Sequence, residues 1–322
     1  MIYMAGIDIG GTKCAVSIGQ VTEEGVHIID KDKIATPGNP SDAINDLITM
    51  LQSLLLKHNQ ISLRSIGISC GSPLDSERGL ILSPPNLSHW HHVDIVSPFV
   101  NTFHIPTGIQ NDANACALAE WMWGAGKGCS NMIFLTFGTG MGAGLILNNQ
   151  LYVGTNDMAG EVGHIRLEED GPVGYHKAGS FEGFCSGGGI AKLAVSMVND
   201  YIEHGGQTQL LNLQPEISML TTADVGLAAS QGDELALSIF ELVGEKLGKG
   251  LSVLIDVLNP QRVVIGSIFM RQEKLLRKPM ERVIAREALS YSSKACEIVS
   301  AGLGEQIGDY AALSVAMNLI RR

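Results

Sequence analysis

The chain has 322 residues, 22 Lys and Arg against 33 Asp and Glu, and a formal net charge of −11. A phosphate backbone demands a basic surface, so this acidic balance excludes nucleic acid as the expected partner. With 45% hydrophobic and 17% charged residues the chain is too apolar for intrinsic disorder, and its length suits one large domain or two ordinary ones.

In chain order, residues 3–9, 15–21 and 26–35 read as three strands of a meander, separated by Gly10-Gly11-Thr12 and Glu23-Glu24-Gly25. Residues 41–58 place Ile44, Leu47, Ile48, Leu51, Leu54 and Leu55 at helical spacing, with Ser41 expected as the N-cap. A buried strand follows at 65–70, and Pro84, Pro85, Asn86 and Pro98 mark a long irregular excursion of the kind that usually carries function. A second strand-glycine loop-strand opening occupies 132–137 and 143–147. The uncharged stretch 128–156 is not a membrane span, because Gly138, Gly140, Gly142 and Gly144 alternate through it where a spanning helix needs about 20 predominantly apolar residues. Helices are expected at 182–201, 233–258 and 305–320, with short strands at 262–265 and 297–300. Alternating elements predict an α/β protein, and the repeated opening predicts two similar halves. The N-terminus reaches Asp8 too early to hold the core of a signal peptide, and Cys14, Cys70, Cys116, Cys129, Cys185 and Cys296 show no paired spacing. A cytoplasmic location with reduced thiols and no membrane partner is expected.

Asp8-Ile9-Gly10-Gly11-Thr12-Lys13 falls at a strand-to-strand turn, where paired glycines bring backbone N–H groups close to an anion and Thr12 and Lys13 add donors. Asp8 is the candidate ligand for Mg²⁺, directly or through water; an ordinary hairpin would use the same residues. Gly138-Thr139-Gly140-Met141-Gly142 repeats the logic, without the helix that must follow at once in a dinucleotide fingerprint, and no Walker A sequence occurs. Asn111-Asp112 opens a helix: the carboxylate suits proton abstraction from a substrate hydroxyl and the amide suits fixing that hydroxyl, although an Asn or Asp there is also a common cap. Glu161, His164 and Glu182 add two carboxylates and an imidazole whose role no single residue decides.

The blocks DIGGTK at 8–13, GSPLDSERGLILSPPNL at 71–87, NDANACALAE at 111–120, FGTGMGAG at 137–144, AGEVGH at 159–164, GSFEGFCSGGG at 179–189 and VVIGS at 263–267 occur in the order found in ROK-family sugar kinases. Across nearly its whole length the chain resembles that family. The resemblance implies an actin-like ATPase fold with two RNase H-like domains around a central cleft. The smaller is expected over 1–115 plus 305–322 and the larger over 116–304. It implies a homodimeric kinase that uses ATP and Mg²⁺ to phosphorylate a small-molecule sugar, glucose or a close relative. By the family pattern Asp112 is the general base, and Asn111, Glu161, His164 and Glu182 are sugar ligands, with Gly71 and Asn86 weaker candidates. Asp8, Gly10, Gly11, Thr12 and Lys13 form the first phosphate loop, Gly138, Thr139, Gly140 and Gly142 the second, and Gly266 and Ser267 the adenosine motif.

The departure lies in the zinc segment, where many members carry CxCGxxGC and this chain has Val173, Tyr175 and Ser180 at the three cysteine ligand positions. None supplies a thiolate, so no structural zinc is expected, and packing by Val173, Tyr175 and Phe181 is expected to order residues 168–181 instead. An N-acetylhexosamine kinase would differ only in a pocket for the acetamido group, which His89, Trp90, His91 and His92 beside Asn86 are candidates to line. A catalytically inert sugar sensor is the alternative of another class. A ROK repressor would carry a winged-helix segment ahead of this body, and with DIGGTK opening at residue 8 none is expected.

Overall fold

The computed structural model describes residues 1–23 and 25–321; Glu24, in the turn expected at 23–25, lies outside them, as does Arg322. The chain opens with the expected meander, β1 (Ile2–Ile9), β2 (Lys13–Val21) and β3 (Val26–Ala35), followed by α1 (Pro40–Lys57) and β4 (Leu63–Cys70). Three two-residue strands, β5 (Leu74–Asp75), β6 (Leu80–Ile81) and β7 (Val93–Asp94), organise the excursion that the prolines mark, and α2 (Val96–Phe103), β8 (Thr107–Asn111) and α3 (Asp112–Trp123) come next. The second opening is β9 (Met132–Phe137), β10 (Met141–Leu147) and β11 (Gln150–Tyr152), with a small hairpin of β12 (Val173–Gly174) and β13 (Lys177–Ala178) behind it. Then follow α4 (Phe181–Phe184), α5 (Gly187–Glu203), α6 (Leu210–Leu213), α7 (Thr222–Ser230), α8 (Glu234–Leu258), β14 (Arg262–Ile265), α9 (Ile268–Glu287), α10 (Ser290–Ala295), β15 (Glu297–Ser300) and α11 (Ile307–Ile320).

The first sheet has the order β3-β2-β1-β4-β8, with β1, β4 and β8 parallel; the second has the order β11-β10-β9-β14-β15, with β9, β14 and β15 parallel. Each is a meander whose first strand pairs in parallel with a later strand, which in turn pairs in parallel with the next. The two similar halves are therefore a repeat of topology, which explains why no residue-level repeat accompanies them.

The chain forms two compact units, residues 1–130, 144–159 and 302–322, and residues 131–143 and 160–301. The sequence boundary at 115 would cut α3, which belongs whole to the first unit. Two sets of bonds hold it there: Ser314 Oγ of α11 donates to the Ala115 carbonyl at 2.8 Å, and the Glu120 carboxylate accepts the N–H groups of Gly302 and Leu303 at 3.0 and 2.9 Å. The core of this unit gathers Ile7, Ile9, Val16 and Ile18 from the meander, Leu47 and Leu51 from α1, and Ile66 and Ile68 from β4, with Trp90 and Phe99. The cap of α1 is Asn39, not Ser41: Asn39 Oδ1 accepts the Ser41 N–H at 2.9 Å, and Pro40 takes the first helical position, where its missing N–H costs nothing.

In the second unit the helix expected over 182–201 is two, α4 and α5, broken at Cys185-Ser186 so that Ser186 can cap α5 through the Gly189 N–H at 3.0 Å. None of the described helices is long and apolar enough to cross a membrane, and all six cysteines are free thiols.

Candidate active site

In the first unit, Asp8 is the penultimate residue of β1 and Asp112 opens α3 directly after β8. The registers Ile9↔Cys70 and Cys70↔Asn111 bring the carboxyl ends of β1, β4 and β8 level, so the turn at Gly10–Lys13, Gly71 and the Asn111-Asp112 pair all leave the sheet at one edge. That edge is where parallel α/β sheets bind ligands. The turn is closed by Gly10 N–H donating to Lys13 O at 3.0 Å and is tied to the end of β3 by Thr36 Oγ1, which donates to Gly10 O at 2.6 Å. Gly11 touches Asn86: a Cβ there would lie 2.6 Å from the Asn86 carbonyl oxygen, so only glycine lets the two loops meet. On its other side the Asn86 amide lies by Gly71, where a Cβ would stand 3.3 Å from Asn86 Oδ1.

Asn111 and Asp112 divide their labour. Asn111, buried, caps α3 by accepting the Asn114 N–H at 2.8 Å. Asp112 is solvent-accessible, and its Oδ1 accepts the adjacent Ala113 N–H at 2.8 Å. The protein packed around the side chain reduces the hydration of its carboxylate without closing it off and pushes its pKa above the usual carboxylate range, against the lowering effect of the backbone N–H groups. Asp8 is pushed up to about 6, first by burial and then by the negative charge of Asp112, while a hydrogen bond from Ser69 acts in the opposite direction. Two carboxyl groups that each favour protonation suit a site completed by a cation. Among the described residues no group of three His, Cys, Asp or Glu side chains is placed to hold a metal ion; a Mg²⁺ bound with phosphates needs only one or two protein carboxylates.

In the second unit, Glu182 organises the second glycine loop. From the first turn of α4 its Oε2 accepts the Met141 N–H at 3.1 Å and lies beside Gly140. The loop is closed by Gly138 N–H donating to Gly140 O at 3.1 Å and by Thr136 Oγ1 accepting the Gly142 N–H at 2.9 Å; Thr139 is exposed at its tip. Gly187, at the start of α5, donates to Gly138 O at 2.7 Å, so the positive end of a 17-residue helix adjoins the loop. Gly266 and Ser267 follow β14, and Ser267 holds a left-handed φ of 56° at the start of α9, with its hydroxyl beside Gly138. Glu161 and His164 are solvent-exposed at either end of a single helical turn, Val162–His164. Gly163 between them packs on the Met141 carbonyl and the Glu182 side chain.

The packing expected of Val173, Tyr175 and Phe181 holds only for Phe181, which is fully buried; Val173 is 45% and Tyr175 68% exposed. Cationic side chains bind the segment instead. Lys246 and Lys249 of α8 donate to Glu168 Oε1 at 2.7 and 2.9 Å, Lys249 also reaches Leu167 O, Lys192 bonds Val173 O, and Arg166 bonds the carbonyls of Glu169 and Ala178. Ser180, buried, caps α4 through the Gly183 N–H. In the histidine cluster Trp90 turns into the core, while His89, His91 and His92 are exposed.

Two residues escaped the sequence reading. Glu120 is fully buried and accepts the N–H groups of Ala125, Gly302 and Leu303. Asp157 accepts both the N–H and the hydroxyl of Ser76 at 2.8 and 2.6 Å, pinning the loop that leads to Asn86. The one signal for Glu120 was a lone acid in an alanine-rich helical run.

Residues 4–318 match the ROK family. The chain is 31% identical over 312 residues to a glucokinase of Halalkalibacterium halodurans, covering 95% of this chain and 92% of that one. It is 26% identical to the xylose repressor of Bacillus subtilis, covering 94% of this chain and 74% of the repressor. Among solved structures, a ROK family glucokinase from Streptomyces griseus in complex with glucose and AMPPNP superposes with a TM-score of 0.76 at 28% identity, covering 98% of this chain and 99% of that one. The doubled sheet topology is accordingly that of the actin-like ATPase fold, and the chain belongs to the ROK family.

Proposed function

We propose that this protein transfers the γ-phosphoryl group of ATP to a hydroxyl of a hexose, glucose or a close relative, with Asp112 as general base. The observation that carries the reading is the division of roles at the start of α3: Asn111 caps the helix, which leaves the accessible Asp112 free of a structural task. With Oδ1 engaged by the Ala113 N–H, Oδ2 takes the substrate proton, and a pKa raised by burial makes it a stronger acceptor. Asn111, its Oδ1 committed to the cap, serves a sugar as a donor through Nδ2. Glu161, His164 and Glu182 supply further hydrogen bonds to sugar hydroxyls, and a hydroxyl missing from an analogue would leave them unpaired.

The glycine turns at 10–13 and 138–142 suit phosphate oxygens, because residues without a side chain let backbone N–H groups approach an anion. Asp8 fits Mg²⁺, directly or through water, because a cation there relieves the repulsion from Asp112. Bound Mg²⁺ neutralises charge on the transferring phosphoryl group. Support from relatives comes from the glucokinases at 28–31% identity. The test is sugar-dependent ADP release across a panel of hexoses and N-acetylhexosamines. Turnover of plain hexoses is expected; turnover of N-acetylhexosamines alone would correct the acceptor, and none at all, with sugar binding retained, would place the chain with its repressor relatives as a sensor.

A further inference from the structure

The β12–β13 hairpin pairs Val173 with Ala178 and Gly174 with Lys177, so Tyr175 and His176 alone make the turn. Both have positive φ, 37° and 64°. That is the geometry for which Asn-Gly is the favoured pair, and a tyrosine and a histidine hold it only under strain. Core packing does not explain their presence, because Tyr175 is 68% exposed. What Tyr175 does touch is His164: the rings stand edge to face, 6.5 Å between centroids and 74° between planes, and the His176 ring lies 5.3 Å from Tyr175, tilted by 60°. The same hairpin holds His164 a second time, through Lys177 Nζ, which donates to the His164 carbonyl at 2.7 Å.

We infer that Tyr175 is a positioning residue for His164: the strained hairpin tip fixes the imidazole edge-on, so that His164 meets a sugar hydroxyl already oriented. This rests on the sugar-kinase reading for its substrate, and the orientation itself can be tested without it. Lys177 fixes the backbone of His164 and leaves its ring free to rotate; the Tyr175 ring restricts that rotation. An edge-to-face contact suits the purpose, since the positive edge of one ring is attracted to the negative face of the other.

The experiment compares wild type, Tyr175→Phe, His176→Gly, and the double variant Tyr175→Asn with His176→Gly. The double variant supplies the residues the turn prefers, so its melting temperature should rise. Its KM for sugar should nevertheless increase about tenfold, the loss expected when one substrate hydrogen bond is no longer oriented in advance, with kcat and the KM for ATP nearly unchanged. Tyr175→Phe and His176→Gly keep the ring contact and should keep the wild-type KM for sugar. In parallel, the carbon-bound imidazole protons of His164, assigned by their loss in His164→Gln, report the Tyr175 ring current by NMR in sugar-free protein. They should shift toward free-histidine positions in the double variant and stay in place in Tyr175→Phe. Unchanged His164 resonances in the double variant, or a stabilised double variant with wild-type KM for sugar, would overturn the inference. If the wild type phosphorylates no sugar, the kinase reading fails and the NMR comparison alone decides the role of Tyr175.

Discussion

Asp8 and Asp112 stand at the same edge of the first sheet, one at the end of β1 and the other just past β8, with β4 between them. The charge of Asp112 adds to burial in raising the pKa of Asp8, and a cation bound there would relieve that repulsion. If Asp112 is the base, Asp112→Asn keeps its shape and its place in the first turn of α3 but cannot take a proton. Turnover should fall by about 10²–10⁴-fold while the melting temperature holds or rises, because asparagine also removes a desolvated charge that repels Asp8. A large loss of stability with turnover per folded molecule preserved would assign Asp112 a structural role.

Asp8→Asn separates binding from stability. Asp8 has a folded pKa raised above its unfolded value, so its favourable contribution is complete below the unfolded value and is lost as pH rises through the folded one. At about 1.4 kcal/mol per pH unit, the rise from 3.8 to about 6 costs the folded state about 3 kcal/mol once Asp8 is ionised. Asparagine removes this cost. The variant should be more stable than wild type by an amount approaching that figure at pH 7, and the difference should shrink from pH 6 to pH 4, as read by denaturant unfolding. Activity should fall with it, and the Mg²⁺ concentration for half-maximal rate should rise.

Asn111→Ala removes the cap of α3 and should cost about 1 kcal/mol, whereas Asn111→Ser should cost a few tenths. Glu120→Ala should cost more. It takes the buried charged acceptor away from the part-buried N–H groups of Ala125, Gly302 and Leu303, a loss of about 1.5–3 kcal/mol. Thermal unfolding of the three variants ranks them.

Elements with a clear period and clean ends were legible in the sequence: β9, β14 and β15 fall at their expected bounds, and α8 starts at the expected Asp233, which caps it. What escaped was α9. Its 20 residues include Pro279 and a kink at Gln272, and a proline inside a polar stretch argues against a helix until its neighbours are known. Here Pro279 packs on α8 at Gly244, a tertiary contact that no local pattern reveals. The same limit governs the candidate site. Glycine spacing and the Asn-Asp pair point to its candidate parts, because the demands they would meet are local. The anchoring by Glu120 and Asp157 depends on which distant N–H groups arrive, and the sequence does not carry that information.

The cationic clamp on residues 166–178 yields the last prediction. Glu168 receives Lys246 and Lys249, and both lysines hold its pKa below the ordinary value of 4.5. A lowered carboxylate stabilises the fold above its unfolded pKa and loses that contribution as pH falls through the folded value. The clamp should therefore act at neutral pH and fade in acid below about pH 4.5. Lys246 is the better-buried partner and also lies over the Phe184 ring at 5.1 Å, so Lys246→Met should cost more than Lys249→Met. Partial exposure of Glu168 keeps each loss near about 1 kcal/mol. Both differences should narrow at about pH 4. If the clamp orders the segment, metal is not needed for it: protein purified without added metal should carry far less than one zinc per chain, and activity after EDTA should return with Mg²⁺ alone. Stoichiometric zinc, with activity restored only by zinc, would show that the segment is ordered by a metal site after all.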